Sequence, residues 1–228
     1  MAGLALTCAA FIAACYCFSP LFWPHMNRPL DAARESDVLT ALRQATGSRH
    51  ERLDSGLPLS RPDATLADYA HHLCLLRDWL TPLDAWLDAY DDGPHGPTGV
   101  ARAPHLGLIE ADLAEPSLAS PPCGTRSHDV PWPAGASAAY RWGVAYVVEG
   151  SQLGGAVLYK RLAGQLAPHP LRYLRGSGEG GPGPRWRAFM AALRAQVQGE
   201  EQVAEACAGA CDAFDRILAL AFDKGSGR

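Results

Sequence analysis

The chain has 228 residues, of which 48% are hydrophobic and 19% charged, so it is long enough for one domain with a sizeable core. Its formal net charge of −4 at pH 7 excludes the strongly basic balance of a nucleic-acid-binding protein. The seven cysteines are odd in number and irregularly spaced, and we therefore expect no disulfide framework.

Residues 1–25 form an apolar extension in front of the domain that we predict for residues 26–228. Residues 1–23 carry no charged side chain, so a signal peptide or a membrane anchor is one interpretation. The stretch has no basic residue at its start and is interrupted by Pro20 and Pro24. An upstream start codon, with Met26 as the natural first residue, is the other interpretation. We expect a cytoplasmic protein, with the anchor or signal left open.

Six segments repeat apolar residues at spacings of three and four, which predicts helices. They are residues 36–54, 65–90, 104–114, 136–166, 184–197 and 200–223. Ser36 is the expected N-cap of the first segment, and Thr65 with Asp68 matches a capping box at the start of the second. No alternating run of the strand type stands out, so the predicted fold class is an all-α, single-domain helical bundle.

Titratable residues along these helices have ordinary interpretations when each is taken alone. His71 and His72 are neighbours within one helix, so only one of them faces the core, and both are interpreted as ordinary helix residues. Glu110, Asp112 and Glu115 are interpreted as a solvated acidic face, because no Glu-x-x-His pair of the di-iron type accompanies them.

His50 is the first candidate functional residue. It follows Leu42 and Thr46 at intervals of four, so the three side chains share one face of the first helix. A lone histidine on such a face is more often a hydrogen-bonded core residue than a metal ligand. A second feature is therefore needed to decide between these two roles.

That second feature is the group of glycines Gly150, Gly154 and Gly155 in the segment 136–166. Each glycine costs a helix interior about 0.5–1 kcal/mol relative to alanine. Either a tight helix–helix crossing or a flat ligand lying against the backbone would explain them.

The two features together resemble heme oxygenases of the bacterial type. Residues 42–54, which contain His50, resemble the proximal helix of that family, and residues 146–155 resemble its glycine-rich distal helix. Residues 175–189 are similar to the segment that follows in bacterial members, including those paired with bacteriophytochromes. The resemblance covers about residues 36–222.

The resemblance implies an all-α fold in which heme, as both cofactor and substrate, is clamped between the proximal and distal helices. O₂ and a reductant would then convert heme to biliverdin, CO and ferrous iron. It implies that His50 is the axial ligand of the heme iron. On the catalytic side it implies that Gly150, Gly154 and Gly155 let the backbone lie close to the porphyrin. Ser151 stands where animal-type enzymes carry an aspartate, so the proton relay would use other groups.

The resemblance also implies heme-binding residues and partners. Heme propionates need cations. Arg43 matches a basic position of the family, Tyr146 and Arg185 are further candidates, and Thr46 shares the face of His50. The implied partners are an electron donor, such as ferredoxin or a flavin reductase, and a bacteriophytochrome that would take up the bilin.

Three alternatives remain at this stage. A heme carrier or sensor would share His50 and the glycines but would not consume heme. A thiaminase-like enzyme of the same helical superfamily would rely on carboxylates and a cysteine, for which Cys74 is the conceivable nucleophile. A membrane-tethered structural bundle would take residues 1–25 at face value.

Overall fold

The computed structural model describes residues 37–118, 123, 130–177 and 180–222. Within these ranges the regular elements are seven α-helices and two single 3₁₀ turns, and no strand is present. The helices are α1 (Val38–Gly56), α2 (Leu66–Leu87), α3 (His105–Leu113), α4 (Ala138–Leu162), α5 (Arg172–Arg175), α6 (Gly183–Gln196) and α7 (Gly199–Phe222). The 3₁₀ turns are Pro58–Ser60 and Gly93–His95. The all-α prediction is confirmed.

Each of the six predicted helices is present, with ends that differ by up to four residues. The four-residue helix α5 was not predicted, because it is too short to show a periodic pattern. The extension at residues 1–25 and the expected N-cap Ser36 lie outside the described residues. Within the part of the chain that the structure describes, no helix has a stretch apolar and long enough to cross a membrane.

The capping box predicted for α2 is confirmed. The Thr65 hydroxyl accepts a hydrogen bond from the Asp68 backbone N–H at 3.2 Å, and the Asp68 carboxylate accepts one from the Thr65 N–H at 2.8 Å. Two N–H groups that the first turn leaves without helical partners are thereby satisfied. The helix then buries an apolar stripe that includes Leu73 and Leu80 and continues through Pro82.

Helix α7 is the shared support of the fold, since α1 and α4 both pack along it. The α4–α7 crossing is close because of two glycines. A Cβ atom on Gly143 would lie 1.8 Å from the Ala206 carbonyl oxygen, and one on Gly209 would lie 2.1 Å from the Tyr140 carbonyl oxygen. Helices α1 and α4 do not pack extensively on each other. Their common support therefore leaves a space between them.

The expectation about cysteines was wrong for one pair. Cys74 of α2 and Cys123 form a disulfide, with their Cα atoms 5.5 Å apart. An odd number of cysteines argues against a framework that uses all of them, but it does not exclude a single bridge. Cys207 and Cys211 on α7 are free thiols, and burial raises the pKa of both.

Candidate active site

A cavity of about 370 Å³ lies between α1 and α4. Helix α7 contributes Phe214 and Ile217 to its wall, and α2 contributes His72, Leu76 and Trp79. The volume falls in the range of small-molecule sites, and the lining is mainly apolar with a few polar side chains. The space therefore suits a largely apolar ligand that a few specific polar contacts hold in place.

Helix α1 carries His50 into this wall. The His50 Nδ1 atom lies 3.1 Å from Oδ2 of Asp54, one turn further along the helix. Its ring also packs against Phe214, with 5.8 Å between ring centroids. A carboxylate at Nδ1 is the common partner of a metal-ligating histidine, because it fixes the tautomer that presents Nε2 to the metal.

The carboxylate of Asp54 is itself shaped by burial. Burial raises its pKa, and the contact with His50 acts in the opposite direction. Oδ2 is enclosed, and no described residue other than His50 gives it a polar partner. The Oδ2 atom of Asp54 is therefore placed to fix the orientation of the His50 ring.

The opposite wall contains Gly150, Ser151 and Gly155 of α4. Gly154 is buried but does not line the cavity. A Cβ atom on Gly150 would lie 3.7 Å from the Trp186 ring, and one on Gly155 would lie 3.6 Å from the Leu174 carbonyl oxygen, both ordinary contact distances. Packing among the described residues therefore leaves room for a methyl group at both positions and does not explain the glycines.

Besides His50, three of the four candidate heme-binding side chains lie in the cavity wall, and the fourth does not. Arg43, Thr46 and Tyr146 line the cavity, and the Thr46 hydroxyl donates to the Leu42 carbonyl oxygen at 2.8 Å. Arg185 does not line it.

The guanidinium of Arg185 donates instead to both carboxylate oxygens of Glu149, at 2.7 and 2.5 Å, and to the Ala101 carbonyl oxygen. Arg185 is therefore engaged within the protein, and Arg43 is the predicted cation that the cavity wall presents.

The known proteins that this chain resembles in sequence and in structure are heme oxygenases. No family model matches the sequence. A heme oxygenase from Xanthomonas campestris pv. campestris (strain 8004) is 43% identical over 83 residues, which are 36% of this chain. The match spans about half of that relative's length, 48%.

Structural comparison covers much more of the chain. The structure is similar to a crystal structure of the NO- and CO-bound heme oxygenase from Neisseria meningitidis, with a TM-score of 0.61 and 24% sequence identity. The match covers 82% of this chain and 92% of that one. The chain has the heme oxygenase fold. The predicted resemblance to bacterial heme oxygenases is thereby confirmed in sequence and in fold.

Within the heme oxygenase fold, Tyr173 is a cavity residue that the sequence analysis missed. Burial raises the pKa of its hydroxyl to about 12, and hydrogen bonding with Ser151 and Gln152 partly offsets that rise. The Ser151 hydroxyl donates to the Val148 carbonyl oxygen at 2.7 Å. The tyrosine lies in the four-residue helix α5, and no sequence pattern marks it.

Asp112 holds α5 in position beside the cavity. Its carboxylate accepts hydrogen bonds from the Tyr69 hydroxyl at 2.6 Å and from the Tyr173 backbone N–H at 2.9 Å. Asp112 is completely buried, so its interpretation as part of a solvated acidic face was wrong. Glu115 is also engaged, through a contact of 2.5 Å with Arg172.

His72, interpreted from the sequence as an ordinary helix residue, is a second residue of the cavity wall. It lines the cavity, its Nδ1 atom is enclosed without a hydrogen-bond partner, and burial lowers its pKa to about 4. The neighbouring His71 is exposed and places its Nδ1 atom 2.7 Å from the Ala67 carbonyl oxygen. The pattern showed that only one of the two would face inward, but it did not show that the inward face borders a cavity.

The alternatives from the sequence can be weighed against this geometry. Cys74, the conceivable nucleophile of a thiaminase-like enzyme, is bonded to Cys123 and is not a free thiol. Among the residues that the structure describes, no group of three or more histidine, cysteine, aspartate or glutamate side chains is arranged to hold a metal ion. The cavity with His50 in its wall is therefore the candidate site for the chemistry.

Proposed function

We propose that this protein is a heme oxygenase that binds heme between α1 and α4 and cleaves it to biliverdin, CO and ferrous iron. The observation that carries the proposal is the position of His50, which lines a mainly apolar cavity with its Nδ1 atom 3.1 Å from the Asp54 carboxylate. The likeness in sequence and fold to heme oxygenases from Xanthomonas campestris and Neisseria meningitidis supports the same activity.

The residues of the cavity include the donor types that heme requires. His50 would hold the iron, and Asp54 would fix its ring in the ligating orientation. Arg43 would supply a cation for the propionates, and Tyr146 is a further candidate to bind them because it also lines the cavity. Gly150 and Gly155 leave space next to the α4 backbone that a bound porphyrin would fill. When bound, heme supplies the iron that activates O₂ and is itself the molecule cleaved.

The proposed roles of the remaining groups concern water and protons. Ser151 follows Gly150 directly, and Ser151 and Tyr173, each with a hydroxyl group, both line the cavity. These two hydroxyls would hold water on the α4 side of the ligand, where an aspartate is missing. The apolar lining from Leu76 and Trp79 would keep other water out.

The reaction also needs electrons from outside the chain. We propose a ferredoxin or a flavin reductase as the electron donor, because the oxidation of heme by O₂ consumes electrons that neither heme nor O₂ supplies. We propose a bacteriophytochrome as a receiver of the bilin product, on the basis of the resemblance of residues 175–189 to phytochrome-paired members.

The test is an absorbance spectrum of the full chain with hemin, recorded before and after addition of ascorbate under air. We expect a Soret band that decays as a biliverdin band grows. His50→Ala removes the proposed iron ligand and is expected to alter or abolish the Soret band. His71→Ala is the matched control, since His71 is exposed and does not line the cavity.

Two other outcomes would contradict all or part of the proposal. A Soret band that persists after reduction under air would leave a heme carrier or sensor. If no Soret band forms, or if His50→Ala and His71→Ala give the same spectrum as the unaltered chain, the proposal is wrong.

A further inference from the structure

The cavity has an open side and a deep side. Gly47 and Glu51 line it and are exposed to solvent. Leu76 and Trp79 of α2 also line it, but they are only 3% and 2% exposed. His72 precedes these two residues by four and seven positions, so it lies on the same face of α2. The residue is partly exposed, but its Nδ1 atom is enclosed and belongs to the deep side.

The deep side carries polar atoms without partners. The Nδ1 atom of His72 and the Nε1 atom of Trp79 are both enclosed, and neither has a hydrogen-bond partner. Burial lowers the pKa of His72 to about 4, so the imidazole is neutral near pH 7 and offers one donor and one acceptor. An enclosed polar atom costs free energy unless a bound molecule or a water pairs with it.

The chemistry of heme limits what this imidazole would meet. A heme molecule has polar atoms at its two propionates and at the iron with the small ligand it carries; the rest of its surface is hydrocarbon. The propionates are charged and are driven toward water and a cation. Arg43 is partly exposed, whereas the deep side offers no cation among the residues named there.

Resting on the proposed function, we propose that His72 hydrogen-bonds the small ligand on the heme iron, directly or through one bridging water. His72 would then be a binding residue contributed by α2, outside the two helices that the family resemblance assigns to the site. It would supply the polar contact that the glycines of α4 do not. A bridging water is nearly as favourable as a direct contact, so a separation of one water molecule is sufficient.

The test uses the hydrogen-bonding environment of two probes, CO on the ferrous heme and fluoride on the ferric heme of the full chain. His72→Phe is expected to raise the C–O stretching frequency, because it removes a hydrogen-bond donor that favours back-donation from the iron into the C–O π* orbitals and so weakens the C–O bond. It is also expected to weaken fluoride binding about fivefold, the worth of one net hydrogen bond. His72→Gln, which retains a donor, is expected to recover part of both effects.

His71→Phe is the matched control and is expected to leave both readings unchanged. If His72→Phe gives the same C–O frequency and fluoride affinity as His71→Phe, the inference is wrong, although heme binding through His50 stands. If the unaltered chain forms no heme complex, the proposed function itself fails. Should the phenylalanine variant not fold, His72→Leu makes the same comparison with a side chain like that of Leu76.

Discussion

The two halves of α4 use the same residue type for opposite reasons. In the first half, Gly143 lies against α7 so closely that a Cβ atom would be 1.8 Å from the Ala206 carbonyl oxygen. In the second half, Gly150 and Gly155 border a cavity, and a methyl group at either would make only ordinary contacts. Glycine is thus required by the packing of the protein in one half, whereas in the other it preserves space.

This difference bears on the two explanations that the sequence left open for the α4 glycines. A tight helix crossing and a flat ligand were both possible explanations of Gly150, Gly154 and Gly155. The crossing exists, but Gly143 and Gly209 form it. That crossing does not account for Gly150 and Gly155, which line the cavity, and Gly154 is buried without lining it.

The strongest test of the packing half is Gly143→Ala. The added methyl group would overlap a backbone carbonyl that cannot rotate away, so α4 and α7 must separate. We expect the free energy of unfolding to fall by about 3 kcal/mol, the upper end of typical overpacking costs. Urea unfolding of the heme-free chain measures this loss.

Gly164→Ala serves as the control for that measurement. Gly164 follows α4, and nothing lies within 4 Å of the position that its Cβ atom would occupy. The free energy of unfolding of the Gly164→Ala variant is expected to differ little from that of the unaltered chain. Equal stability of Gly143→Ala and Gly164→Ala would mean that the crossing is not as close as described, and the contrast between the two halves would disappear.

A smaller effect on the same half is expected from Tyr140→Phe. The Tyr140 hydroxyl donates to the Asp212 carboxylate at 2.5 Å and ties the start of α4 to α7. Asp212 keeps a contact of 3.1 Å with Arg216, so its carboxylate is not left without a partner. We therefore expect a loss of about 1.5 kcal/mol, the lower end for a hydrogen bond to a charged group. Thermal unfolding of the heme-free chain measures it.

Heme affinity provides the second reading for Tyr140→Phe. Tyr140 does not line the cavity, so the affinity is expected to match that of the unaltered chain. A fall in heme affinity that parallels the fall in stability would show that the two halves of α4 are coupled.

The fold was predictable from sequence because long helices repeat their signals many times. Helix α2 combines an apolar stripe with the Thr65–Asp68 capping box, and both are found in the structure. The ends of α4 and the existence of α5 were not predictable. Four residues carry no periodicity, and the position of α5 depends on the buried carboxylate of Asp112 on another helix.

Some residues of the candidate site could be predicted from the sequence, and others could not. His50 and the α4 glycines were recognisable because each lies in a continuous segment that resembles a known one. His72 and Tyr173 reach the cavity from α2 and α5, so only the packing of those helices brings them to it. Arg185 was predicted to bind heme, but it pairs with Glu149 instead. Their pairing could not be predicted because the two residues lie on different helices.

The most discriminating prediction for the cavity half is Gly150→Ala. Alanine is the better helix former by about 0.5–1 kcal/mol, and a Cβ atom at this position has an ordinary contact with Trp186. The heme-free chain is therefore expected to be as stable as the unaltered chain or slightly more stable. The methyl group would occupy space that the proposed heme needs, so we expect heme to bind about tenfold more weakly, a change of ~1.4 kcal/mol.

Gly107→Ala is the matched control, because Gly107 is an exposed glycine inside α3 with nothing within 4 Å of its Cβ position. The Gly107→Ala variant should gain about as much helix stability as Gly150→Ala does. Its heme affinity, measured by hemin titration, should equal that of the unaltered chain. If Gly150→Ala unfolds the chain, Gly150 is a packing glycine like Gly143. If it binds heme as tightly as Gly107→Ala does, the ligand does not lie against α4. The combination of retained stability and weakened heme binding is expected only if the second half of α4 is shaped by its ligand.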